Sequence, residues 1–189
     1  RSPALALAGG KPPATALETH PGRSKEVLTQ SDVRKVEGEK YVADTGRLFF
    51  GRQRSFSIAL EAALKGKEIT YLYAEGHPSA ELKHGIIALV KPELPSVFIA
   101  PDDAVFSKNV NNIEQVRARK GPIIAVTTAS GAAKLKGIAD DVIVVPDAHD
   151  VAMPVLTAIP LQLFAYHLAV VLGRDVDKPR NLAKSVTVE

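Results

Sequence analysis

Three charged side chains, Glu61, Lys65 and Glu68, stand at i, i+4 and i+7 of a segment with helical spacing, so all three project from one helix face. Leu60 and Leu64 mark the side expected to be buried. A carboxylate beside a cation can take up and return a proton, and the same spacing also describes a solvated face carrying two weak ion pairs. His84, in AELKHG, offers an imidazole that can shuttle a proton near neutral pH or fill a hydrogen-bonding niche. Lys184, close to the C-terminus, becomes a nucleophile only if its amine loses its proton well below the usual value of about 10.4. Lys178 and Arg180 are cations near enough in sequence to favour that loss, and Asn181 can hold backbone groups of a closed tail. His20, His77, His149 and His167 have no partner at metal-ligand spacing. With no Cys in the chain, a disulfide framework, a thiolate metal site and a cysteine nucleophile are all excluded.

The elements that would position these groups follow from hydrophobic patterning. RLFFG (Arg47 to Gly51), SVFIA (Ser96 to Ala100), PIIAVT (Pro122 to Thr127) and DVIVV (Asp141 to Val145) are rich in β-branched and aromatic residues and bounded by Gly, Pro or Asp, which predicts buried strands. Helical spacing runs from Ser55 to Tyr73, Asp103 to Arg119 and Val151 to Leu172, and Ser24 to Val42 is expected to add a helix ahead of the first strand. Ile159 to Leu172 is apolar nearly all round, as a helix buried on several sides would be. The alternation predicts an α/β domain, a doubly wound parallel sheet covered by helices on both faces in three layers, with ligand beyond the C-terminal ends of the strands.

A chain of 189 residues, 46% of them hydrophobic, can bury one good core, and a single domain is expected. The expected organisation is an irregular lead over 1–20, the domain over 21–174, and a tail over 175–189 that Pro179 prevents from continuing any arriving helix. The formal charge is +3 and the isoelectric point near 9.1, but Lys and Arg are spread along the chain, so no nucleic-acid stripe is expected. No apolar run approaches the roughly 20 residues of a bilayer span. The alanines and Leu5 near the start are broken by Gly9, Gly10, Pro12 and Pro13, unlike a signal peptide, and a cytoplasmic location is expected.

Three turns could receive a phosphate. Pro101, Asp102 and Asp103 follow one strand, where two carboxylates would repel an anion. Thr127, Thr128, Ser130 and Gly131 follow another and suit it better, though they also read as an ordinary polar turn; Arg52, Ser55 and Ser57 open the Glu61 helix.

Long segments bring these residues together in one resemblance. The C-terminal run DVDKPRNLAKSVTVE (Asp175 to Glu189), together with ALEAALKGKEITYLYAEG (Ala59 to Gly76), AELKHG (Ala80 to Gly85), NIEQVRAR (Asn112 to Arg119) and IPLQLFAYHLA (Ile159 to Ala169), resembles the second sugar isomerase (SIS) domain of the glucosamine-6-phosphate synthases, the glutamine:fructose-6-phosphate amidotransferases. The likeness covers about residues 45 to 189. It implies that Glu68 moves a proton between C1 and C2 of the substrate, with Glu61 and Lys65 organising the site; that His84 opens the sugar ring from a neighbouring subunit, making a homodimer; and that Lys184 forms a Schiff base with the open-chain ketose, supported by Arg180, Asn181 and Ala183 in a tail closing over the site. The implied substrate and product are fructose 6-phosphate and glucosamine 6-phosphate, with no metal or redox cofactor. The phosphate turn of those enzymes lies in a first SIS domain, and ammonia comes from a glutaminase domain with a cysteine nucleophile; neither is carried here. Two departures flank the site: Gly66 where a leucine is expected, and Ile86 in place of the proline after HG. A self-contained phosphosugar isomerase or deglycase, and a noncatalytic module that binds amino-sugar phosphates, are the rival readings.

Overall fold

Parallel strands sheathed on both sides should be apolar along their whole length, and the central strands are. A computed structural model describes residues 19–29 and 39–180. Its elements run α1 (His20–Leu28), β1 (Gly46–Gly51), α2 (Arg54–Thr70), β2 (Tyr73–Pro78), two short 3-10 turns (Ser79–His84 and Ile86–Leu89), β3 (Ser96–Ile99), α3 (Phe106–Arg117), β4 (Ile123–Thr128), α4 (Ala129–Leu135), β5 (Asp141–Val145) and α5 (Met153–Val171). Every residue of β1, β3 and β4 is buried. The five strands are all parallel in the order β2-β1-β3-β4-β5.

Alternation along the strands splits the core in two. Phe49, Val97, Ile99, Ile124 and Val126 meet α2 and α5 through Ala59, Ala63, Leu156, Leu161 and Phe164. Leu48, Phe50, Phe98, Ile123 and Ala125 face the other way, onto Ile113 and Val116 of α3, Leu82 and Leu135. The result is the expected three-layer, doubly wound α/β domain. The four strands predicted from sequence lie within a residue or so of those observed.

Several expectations need correction. β2 was not foreseen, the helix read over Ser55 to Tyr73 taking in only its first residue; YAEGHP is an edge strand in which only Ala74 is buried, so it lacks the apolar run that marks its neighbours. The helix before it stops at Thr70, because Tyr71 adopts a left-handed conformation with φ 62°. The helix expected over Ser24 to Val42 is seen as His20–Leu28, and residues 30–38 lie outside the described residues. Leu60 and Leu64 do not mark the buried side of α2: they are 46% and 43% exposed, and the core face is Ala59, Ala62, Ala63 and Thr70. The reason is distance. A Cβ on Gly76 of β2 would lie 2.9 Å from backbone atoms of Ala59 and Leu60, so helix and strand are too close for large side chains between them. Nor is α5 enclosed all round, since Tyr166, Val170 and Val171 are 45%, 49% and 38% exposed. At 19 residues this helix is, by length and composition, apolar enough to cross a bilayer, contrary to the reading of the sequence; in the fold it lays Leu156, Leu161 and Phe164 into the core.

Gly66 borders a small, mostly apolar cavity lined by Phe49, Ala74, Leu161 and Phe164, with Arg47 and Thr70 at its wall. A Cβ there would meet only the Ala74 Cβ, at 3.3 Å. Gly66→Ala should therefore raise stability by up to about 1 kcal/mol through helix propensity, offset by a slight shift of Ala74, and urea denaturation reads the change.

Candidate active site

Glu68 and Lys65 face each other on the last turns of α2. Lys65 Nζ donates to Glu68 Oε2 at 2.8 Å, with the two side chains 37% and 23% exposed. This contact holds the Lys65 ammonium above its ordinary value, the hydrogen bond to Glu68 being the main cause and Glu61 adding to it through its charge. Glu61 Oε1 lies 3.5 Å from Gln162 Nε2 of α5, a contact across 101 residues that no local pattern announces. Leu60 and Leu64, exposed on the same helix, put apolar surface beside this charged row. The row thus combines a half-buried carboxylate, a cation to hold it and uncovered leucines, which suits proton transfer under a covering partner.

His84 ends the 3-10 turn after β2 and is 71% exposed at its side chain; its Nδ1 sits 2.6 Å from Glu81 Oε2. Ser79 anchors the start of that turn, its buried hydroxyl donating to Asn109 Oδ1 of α3 at 2.7 Å. His84 and Glu68 therefore belong to separate side-chain pairs in the chain. Arg180 is the last described residue, its backbone N–H bonded to the Tyr71 hydroxyl. Asn181, Ala183 and Lys184 lie outside the described residues.

The expected ligand position and the proposed base fall at opposite ends of α2. A depression at the C-terminal edge of the strands, where β1 and β3 lead away in opposite directions, is lined among others by Arg54, Ser55, Asp102, Asp103, Thr128 and Asp150, with Arg54 3.4 Å from Asp150. Glu68 is fourteen residues further along α2 than Arg54, about 21 Å of helix. Carboxylates outnumber cations in its lining, Asp102, Asp103, Asp147 and Asp150 against Arg54. Lys134 Nζ binds both Asp102 oxygens at 2.8 and 2.7 Å, and the hydrogen bond from Lys134, followed by one from Ser130, holds the Asp102 carboxyl below its usual range. Asp102 thereby takes up the cation and a hydroxyl that an anion would use. Thr128 Oγ1 is 3.1 Å from Ser130 Oγ, Thr127 is fully buried, and Gly131 packs against it. Of the third candidate turn, Arg52 is drawn to Asn112 Oδ1 at 3.3 Å, Ser55 is buried and Ser57 is exposed.

Comparison with known proteins gives a consistent picture. Residues 43–172 match the SIS domain family. The chain is 49% identical over 174 residues to the glutamine–fructose-6-phosphate aminotransferase (isomerizing) of Aquifex aeolicus, covering 92% of this chain and 29% of that protein. The enzyme of the same name from Bacteroides thetaiotaomicron is 46% identical over 173 residues, again 92% of this chain and 28% of that protein. Among solved structures, the C-terminal domain of glucosamine-fructose-6-phosphate aminotransferase from Francisella tularensis superposes with a TM-score of 0.79 at 34% identity, covering 86% of this chain and 45% of that one. The chain spans under a third of the length of the curated relatives it matches.

Proposed function

Since the chain belongs to the SIS domain family over residues 43–172, we propose that it is the second SIS domain of the isomerase half of an enzyme that converts fructose 6-phosphate and glutamine-derived ammonia to glucosamine 6-phosphate. The observation that carries the reading is the Glu61–Lys65–Glu68 row beside exposed Leu60 and Leu64: a proton-transfer group on a face that wants a cover. The remaining length of the relatives supplies that cover, in the form of a first SIS domain that brings the phosphate turn and a glutaminase domain that brings ammonia. A homodimer delivers His84 from the neighbouring subunit, which suits its exposed position. The setting is the cytoplasm.

In this reading His84 passes a proton between the ring oxygen and the anomeric hydroxyl, opening the sugar. Lys184 Nζ then attacks the C2 carbonyl and water leaves, giving an imine; ammonia adds at C2 and releases the lysine. Glu68 removes a proton from C1 of the resulting imine and returns it to C2, while the C1 hydroxyl gives up its proton and the imine nitrogen takes one up, which leaves an aldehyde at C1 and an amine at C2. The ring closes on that aldehyde.

Calorimetric titration of the 189-residue chain with fructose 6-phosphate, glucosamine 6-phosphate and inorganic phosphate tests the reading. Because Asp102 occupies the edge and the phosphate turn lies elsewhere, no heat of binding is expected from the folded chain alone. Micromolar sugar-phosphate binding would sink it in favour of a self-contained isomerase or a sensor.

A further inference from the structure

Around the depression at the C-terminal edge of the sheet, donors and acceptors are spent unevenly. Most donors are taken. In the first turn of α2 the Ser55 N–H goes to Arg52 O and the Phe56 N–H to Gln53 O, both at 3.1 Å, and ahead of α3 the Val105 N–H goes to Asp103 Oδ1 at 2.9 Å. Of the cations, Lys134 is committed to Asp102, and Arg54 stands 3.4 Å from Asp150. Acceptors are left over. The Asp147 carboxylate has no partner among the described residues, since Arg23 donates to the Asp147 backbone carbonyl instead, and Asp103 keeps its second oxygen. Ser55 is the sharper case: it is 8% exposed, it lines the depression, and its hydroxyl meets no partner among the described residues. A hydroxyl buried to that degree ordinarily has a partner, and here the open side is the depression.

The rest of the lining sets the class of ligand. Its carboxylates come from two loops, 102–103 leading to α3 on one face of the sheet and 147–150 leading to α5 on the other. Such a lining attracts a cation and repels a phosphate. Among the described residues no three His, Asp or Glu side chains are placed to hold a metal ion, so the cation has to spread its donors over several points. An ammonium group on a short carbon skeleton does this, and Ala148, Met153 and Pro154 give the skeleton an apolar wall. The depression measures about 130 Å³.

We propose that this depression binds a small organic ammonium ion free of phosphate, its N–H groups donating to Asp147, Asp103 and the Ser55 hydroxyl. Glu68 lies about 21 Å further along α2 than Arg54, so the site stands apart from the Glu61–Lys65–Glu68 row and does not depend on the function proposed for it.

Amide NMR of the 189-residue chain tests the proposal. The probes are 1,4-diaminobutane and glucosamine, each set against its hydroxyl counterpart, 1,4-butanediol and glucose, at low salt and about pH 6, where amines and carboxylates are both charged. At least one amine should give saturable shifts at the Ser55, Ala104, Thr128 and Ala148 amides with a Kd of about 1 mM or below, and its hydroxyl counterpart should give none. Asp147→Asn, which breaks no contact among the described residues, should weaken binding about 10-fold and Ser55→Ala about 3-fold, with β3 and β4 amide shifts as in wild type. No saturable shift from either amine up to about 20 mM overturns the proposal. So does a response shared with the hydroxyl counterparts, or one that Asp147→Asn leaves unchanged. Magnesium chloride producing the same shifts overturns it in favour of a metal ion.

Discussion

Glu68→Gln, in the chain joined to the remaining segments of a relative, is expected to lower kcat about 1000-fold while barely disturbing the fold. Glutamine matches glutamate in shape and its carbonyl can still accept from Lys65, but it cannot take a proton from carbon. The stability cost is small because the Lys65–Glu68 pair is an i, i+3 contact between side chains 37% and 23% exposed, worth about 0.5 kcal/mol after solvent screening. Deuterium incorporation at C1 of fructose 6-phosphate isolates the proton-transfer step and should vanish in the variant. A kcat within about tenfold of wild type, with exchange retained, would remove Glu68 from the mechanism.

Much of the fold was legible because the strands bury both faces. Leu48 to Phe50, Val97 to Ile99 and Ile123 to Val126 are continuous apolar runs, and such runs alternating with helical segments have few other solutions. β2 was illegible because an edge strand needs only one buried residue, Ala74, and it followed a helix without a Gly or Pro break. The face of α2 was misread for a related reason. Hydrophobicity singles out Leu60 and Leu64, but a helix pressed against a strand at Gly76 excludes large residues, so alanines fill the contact and the leucines face outward. A row of small residues at helical spacing, Ala59, Ala62, Ala63 and Gly66, was the available signal.

The chemistry was legible at the level of residue types and less so in its placement. The spacing of Glu61, Lys65 and Glu68 does put them on one face, but their distance from the strand ends depends on where α2 starts, at Arg54, and on its running unbroken to Glu68. Two carboxylates after β3 suggested a turn hostile to phosphate. The clamp of Asp102 by Lys134, 32 residues away, could only come from the fold. An ion pair set into the sheet edge and a charged row on an uncovered helix face are the two observations on which the proposed function puts the sugar at the flank of the domain.

Arg47→Ala should cost about 3 kcal/mol or more, the largest loss expected from a single residue outside the hydrocarbon core. Arg47 stands on β1 with its side chain 4% exposed, donates to the Tyr41 carbonyl, approaches Asp44 Oδ2 at 3.7 Å and lies 5.2 Å from the Phe164 ring centroid. Burial pushes its guanidinium down to about 10, and burial likewise raises the Asp44 carboxyl, outweighing the pull of Arg47. Truncation would therefore leave a buried carbonyl without its donor, a carboxylate without its cation and an enlarged cavity beside Phe164. For a domain of this size the loss amounts to a fall in Tm of about 6–12 °C. The pH dependence has a definite sign. Removing Arg47 raises the Asp44 pKa further in the folded state, so the folded variant binds a proton that the unfolded chain has released between the unfolded value near 3.9 and the folded one. Stability conferred by that proton is present at low pH and lost as pH rises through the folded pKa, so the deficit of Arg47→Ala relative to wild type should shrink between pH 7 and pH 4. Adding Asp44→Asn should recover part of the loss at pH 7 and remove the pH dependence. A deficit below about 1 kcal/mol at pH 7 by urea denaturation would mean that the pair contributes no more than a surface contact.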